Sequence, residues 1–302
     1  MDGQEVIIQT YSGWDTAVVV FGAAMLAIDL VVMLYIVWNR KYPPIRAKNI
    51  PLLVVLFVSL VIWYIGSIAT QLDVGNINSF SGSCILFAIW FRVLLGVFLF
   101  TFVNVFRLYT YIRIFRYRKP VKGWSYWIPV IIFLVIILAF GLTTTLLHES
   151  LGVFLIEGID VCRYTIRFKE IAFGIVWFGW LAVILSTFLA RNINTSFNEY
   201  YEMLAVCIIT SIAIAYETII QHILANYILF IWSRTTSALI EVIAGQVTFF
   251  ILVTTPVYNC LVNREGYQKA FFEKMHNDGM TARYLSSIES SSSTTRVHAM
   301  SI

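Results

Sequence analysis

The sequence predicts an all-α membrane protein, a seven-transmembrane helix bundle with a short amphipathic helix after the seventh span. Three observations predict it. The 302 residues are 59% hydrophobic and 13% charged, whereas an average soluble domain is about 45–50% apolar and about 25% charged. The mean hydropathy of +0.80 is more than a buried interior alone can supply. Seven apolar stretches are each long enough to provide the roughly 20 helical residues that cross about 30 Å of hydrocarbon.

Taken in order, the first span runs from about Thr16 to Trp38, and the second from Pro51, a proline placed where a helix start loses no hydrogen bond, to Thr70. The third covers about Cys84–Phe106, the fourth Tyr126–Leu147 and the fifth Glu170–Leu189. The sixth begins near Tyr201 and ends between Gln221 and Trp232, because Ile228–Trp232 is apolar as well. The seventh covers about Thr236–Cys260. After it, Tyr267, Phe271 and Met275 recur at i, i+4 and i+8, the stripe of a helix lying in the interface. The expected organisation is therefore an outer tail over 1–15, a transmembrane domain over 16–260, an amphipathic helix over 261–276 and a disordered Ser/Thr-rich tail over 277–302. The first span lacks a basic n-region and is too long for a cleaved leader, so it reads as a signal anchor.

Lysine and arginine set the orientation. Sixteen of the 21 basic residues fall in the first and second inner loops, at Arg191 and in the tail; four (Arg163, Arg167, Lys169 and Arg234) fall on the other side. That asymmetry predicts an extracellular N-terminus and a cytoplasmic C-terminus. The remaining basic residue, Arg92, lies eight residues into the third helix from Cys84, roughly 12 Å deep at 1.5 Å per residue. A charge at that depth needs a partner. Glu241, Glu217 and Asp29 are the candidates, and with Arg92 they form a candidate ligand or switch cluster. The bland alternative is a structural ion pair that fixes helix register.

Cys84 and Cys162 both fall on the oxidising side, so they either bridge or remain two free thiols. Cys207 reads as packing, and the juxtamembrane Cys260 as a candidate for acylation. Several chemistries have no residues to carry them. No lysine falls in a predicted span, the four histidines lack metal-ligand spacing, and no HExxH, paired CxxC, GxSxG or P-loop is present. No enzyme activity, cofactor or nucleic-acid partner is expected, and the lipid bilayer is the first partner. Asn194-Thr195-Ser196, the one glycosylation acceptor pattern, falls on the cytoplasmic side.

Arg92-Val93-Leu94-Leu95-Gly96, followed by Arg107-Leu108-Tyr109 and Arg113-Ile114-Phe115, resembles the third helix of class C G-protein-coupled receptors and of their fungal and plant relatives. Pro256-Val257-Tyr258 resembles the end of that family's seventh helix, one residue shorter, and Pro43–Asn49 resembles fungal first inner loops. The resemblance spans about residues 15–265. It implies a seven-helix receptor that signals through a heterotrimeric G protein, with Arg107, Arg113 and Arg116 as the inner contact surface and a homodimer as a plausible assembly. The outer tail of about 15 residues holds no class C ectodomain, and the segment after the seventh helix holds no regulator domain. Recognition is therefore expected within the helices and outer loops. Asn104-Val105-Phe106-Arg107 stands where rhodopsin-like receptors carry Asp-Arg-Tyr. In the tail, Ser290, Ser291, Ser292, Ser293, Thr294 and Thr295 are candidate phosphorylation sites that would add negative charge. A transporter or channel using Asp29, Arg92, Glu217 and Glu241 as an ion or solute path is the alternative. It gains from Asp29 near the midplane and loses from the lack of an internal repeat.

Overall fold

The computed structural model describes residues 12–72, 84–117, 121, 123–147, 152–156, 161–191, 199–224 and 227–277. Seven of its helices are long and apolar enough to cross a membrane, making this a multi-pass, all-α membrane bundle. The spans are α1 (Gly13–Trp38), α2 (Ile50–Gln71), α3, α4 (Trp124–Leu146), α5 (Ile166–Ala190), α6 (Glu199–Ile223) and α7 (Ile231–Val262). In α3 a π-helix over Ile85–Phe98 continues as an α-helix over Leu99–Phe115. Helix α8 (Arg264–Asn277) follows α7, at the place where a helix was predicted after the seventh span. It docks by its start, where the Tyr42 hydroxyl donates to the Arg264 carbonyl at 2.9 Å. Phe271 of its predicted stripe is buried.

Local chemistry sets the helix ends. Ser12 caps α1 by accepting from the Trp14 N–H, and Thr165 caps α5 by accepting from the Phe168 N–H. Gly123, at φ +60°, turns the chain into α4 through a conformation that favours glycine. The apolar run Ile228–Trp232 does not extend α6. Tyr227–Leu229 forms a single 3-10 turn, and α7 starts at Ile231. Helix α5 likewise begins at Ile166, four residues before the predicted start. This places Lys169, which the loop count assigned to the outer side, within a helix.

The sequence did not lead us to expect a hairpin. Between α4 and α5, strands β1 (Val153–Ile156) and β2 (Val161–Tyr164) form an antiparallel hairpin in which Leu155 opposes Cys162. Cys162 is bridged to Cys84, with a Cα separation of 5.7 Å, so the hairpin is tied to the start of α3. Around the bridge, Ala88, Ile89, Leu94, Phe98, Ile137 and Phe168 form one apolar core; a second core fills the opposite half of the bundle, where Leu53, Leu56, Phe106, Trp180 and Phe249 meet.

Helices α2, α3 and α7 make up the centre. Half of the most apolar window of α2 and of α7 is buried, compared with 17% for α4. The exposed Ile132, Val135 and Leu138 of α4 and Val31 and Leu34 of α1 present apolar surface outward, as suits a hydrocarbon solvent. The tightest approach lies between α2 and α3, where a Cβ on Gly66 would stand 2.6 Å from the Arg92 backbone nitrogen and one on Gly96 would stand 2.8 Å from the Trp63 Cβ. Backbone cannot yield as a flexible side chain does. Gly66→Val is therefore expected to push α3 off α2 at a cost of about 1–3 kcal/mol, read as a lower unfolding temperature in detergent. A variant as stable as the wild type would contradict this packing.

Candidate functional site

Polar side chains on α2, α3 and α7 converge beneath the hairpin. Arg92, on the π-wound part of α3, donates from Nη2 to Glu241 Oε1 of α7 at 2.6 Å and from Nη1 to the Tyr164 hydroxyl of β2 at 3.0 Å. The other carboxylate oxygen of Glu241, Oε2, accepts from Ser67 Oγ at 2.6 Å, Trp63 Nε1 at 3.2 Å and Gln71 Nε2 at 3.2 Å. Arg92 and Glu241 are 4% and 8% exposed, so the ion pair is buried. Its many hydrogen bonds offset part of the desolvation cost that burying two charges imposes. Tyr164 is buried in the same network, and burial pushes its phenol up from the ordinary value despite the neighbouring guanidinium. At physiological pH it is a neutral hydroxyl.

A cavity of about 100 Å³ opens against this network and against α5 and α6. Glu217 lines it from α6, accepting from Ser237 Oγ with both oxygens, at 2.7 and 2.8 Å, and from Gln221 Nε2 at 3.0 Å. Lys169 lines it from α5, donating to the Gln221 carbonyl at 3.1 Å, with its Nζ 5.3 Å from the Tyr227 ring centre. Burial pushes the Tyr227 phenol up as well. Apart from Thr210 and Gln221, the remaining wall is mostly apolar and includes Val93, Val97, Phe100, Phe168 and Val176.

The predicted cluster is thus assembled in part. Arg92 pairs with Glu241, and Glu217 shares their cavity without a hydrogen bond to Arg92. Asp29 lies elsewhere, fully buried on α1 and facing Gln246 of α7. Neither Asp29 oxygen nor Gln246 Oε1 completes a hydrogen bond. Between Gln246 and Glu241 is a second cavity of about 20 Å³, lined also by Ser67 and Tyr64; it is large enough for one water. Asp29→Asn replaces an acceptor with a donor facing Gln246. It is expected to raise stability by about 1 kcal/mol, read as a higher unfolding temperature, and a fall would show that the carboxylate itself is needed.

The sequence reading missed a second buried ion pair at the hairpin end. Arg234, in the first turn of α7, is fully buried and donates from Nη2 to Asp15 Oδ2 of α1 at 2.5 Å. It also missed Lys169, and the Trp63, Ser67 and Gln71 donors. The donors left a signal, because spacing by four puts all three on one face of an otherwise apolar helix.

At the other end of the bundle the three candidate contact arginines differ. Arg107 is buried. Arg113 is held by Tyr109 at 2.5 Å and by Ser125 Oγ at 2.6 Å. Arg116 is exposed, reaching the Leu189 carbonyl of α5 at 3.1 Å. Lys48 and Glu202 form a further ion pair at 2.5 Å at this end. Cys207 and Cys260 are free and buried, so the Cys260 thiol is not displayed for acylation. Ser290–Thr295 lie outside the described residues. The described residues contain no group of three or more metal-ligating side chains. No protein-family model matches the chain, and comparison with curated proteins finds no match.

Proposed function

We propose that the chain is a cell-surface seven-helix receptor of the plasma membrane, with its N-terminus outside. It senses an extracellular ligand in the cavity and signals through a heterotrimeric G protein. The observation that carries this reading is the Arg92–Glu241 pair, which borders the cavity while joining α3 to α7 and, through Ser67 and Gln71, to α2. A ligand that competes for either charge changes the packing of three central helices at once, which is the kind of bistable element that population shift requires. Support for orientation comes from the basic residues, sixteen of which gather on the side of the first and second inner loops.

The test is nucleotide exchange on purified Gα subunits reconstituted with the full chain in lipid vesicles. Acceleration by the wild type is expected, together with its loss in a folded Arg113→Ala/Arg116→Ala double variant. If no Gα class responds, the receptor reading is wrong. A transporter or channel is the second reading, and a specific observation favours it. The polar chain from Arg92 through Glu241 and the water-sized cavity continues to Gln246 and the buried Asp29. Ion flux through the same vesicles that is abolished by Asp29→Asn would select that reading.

A further inference from the structure

The buried groups around the cavity are unequally satisfied, and the inequality is informative about ligand chemistry. The Glu241 carboxylate has Arg92 and three further donors. Glu217 has two donors, the one Ser237 hydroxyl proton shared between its oxygens and Gln221 Nε2. Lys169 is different. It carries three N–H donors, yet its protein contacts are one carbonyl and the face of Tyr227. No carboxylate forms an ion pair with it among the described residues.

Its position makes this costly. A lysine one turn from a helix end ordinarily snorkels to the head-group region; here the side chain turns inward and is 5% exposed. A second group in the same cavity is also unfilled. Thr210 is 4% exposed, and its hydroxyl completes no hydrogen bond. Thr187 and Thr218, by contrast, donate back to the carbonyls four residues earlier. The Glu241 carboxylate is therefore well supplied with donors, while the Lys169 ammonium remains short of acceptors.

We propose that the cavity binds a small apolar monocarboxylate whose carboxylate is held by Lys169 and whose hydrocarbon part lies against Val97, Phe100 and Val176. Size points the same way. A cavity of about 100 Å³ favours a ligand of few heavy atoms, such as a short branched chain. A cationic amine would instead meet Lys169 as a like charge, and the ligand carboxylate has to sit on the Lys169 side of the cavity, away from Glu217. The Thr210 hydroxyl, deeper on α6, is left for a polar substituent or a water.

This inference rests on the receptor reading for its physiological meaning, but binding can be measured without a G protein. Purified full-length chain in nanodiscs is titrated with 3-methylbutanoate, 3-methylbutanamide, isopentylamine and, as an anion control, acetate. Readouts are the unfolding temperature and calorimetry. The carboxylate is expected to bind and to raise the unfolding temperature, with no comparable effect of the amide, the amine or acetate. Lys169→Gln should weaken binding about tenfold or more, the loss of roughly one charge-assisted hydrogen bond, and Lys169→Arg should keep it within about threefold. Equal binding of acid and amide, no binding of the acid, or undiminished binding by folded Lys169→Gln would overturn the proposal. If Lys169→Gln does not fold, Ala172→Leu fills the cavity with the lysine intact, and persistence of the shift there also overturns it. Carboxylate binding without any effect on nucleotide exchange would count against the receptor reading alone, whereas exchange without carboxylate binding would count against the site alone.

Discussion

Arg92→Ala is expected to lose about 3–5 kcal/mol of stability, because it leaves the Glu241 carboxylate buried without its cation. Glu241→Ala should cost about as much, since the guanidinium would then lose its carboxylate and keep the Tyr164 hydroxyl as acceptor. Detergent-solubilised yield and unfolding temperature read both losses. The informative comparison is the double variant Arg92→Met/Glu241→Leu, in which both charges are replaced by apolar groups of similar volume. It is expected to recover most of the stability lost by either single variant, since the pair's Coulomb gain roughly balances its desolvation cost. If the double variant is as unstable as the sum of the singles, the hydrogen bonds from Trp63, Ser67 and Gln71 hold the bundle together, rather than charge matching. Full recovery of the fold with loss of signalling would separate a functional pair from a structural one.

Removing the bridge with Cys84→Ser is the second large expected effect. The disulfide closes a loop between residues 78 apart in sequence, and loss of a native bridge typically costs about 2–5 kcal/mol. The lower part of that range is expected here. Helix α4 still spans the bilayer in the denatured state, so the bridge removes less freedom than it would from a soluble chain. The hairpin carries Tyr164 to Arg92, so the same variant should loosen the cavity roof as well as lower the unfolding temperature. Dithiothreitol should reproduce the shift in the wild type and leave Cys84→Ser unchanged. A wild-type protein insensitive to reductant would mean that the thiols are unbridged in the membrane.

Much of the architecture was legible before any coordinates. Bilayer thickness imposes a length on each apolar run, and burial of a charge demands a partner. Composition and spacing therefore located seven spans, and Arg92 could be matched with Glu241 as one of three candidates. The third helix runs on to Phe115, nine residues past the end of the predicted span at Phe106. The misses have a common cause. Lys169 and Arg234 lie within one turn of a helix start, where a basic residue in sequence looks the same whether it points to water or to the interior. Their inward burial depends on Gln221 and Tyr227 in one case and on Asp15, 219 residues away, in the other. The hairpin was missed because two strands of four residues are too short to leave a periodicity.

The sequence by itself determined that this is a multi-pass helical membrane protein, with charges partitioned between loops and one arginine committed to the interior. Those are one-dimensional consequences of solvent, since hydrocarbon selects length and hydropathy residue by residue. The tertiary structure decided which carboxylate Arg92 takes, that Asp29 stands apart from it, and that Lys169 enters a cavity with its ammonium short of acceptors. These depend on helix rotation and on close approaches such as Gly66 against Arg92, which short-range packing fixes in three dimensions and no linear pattern encodes.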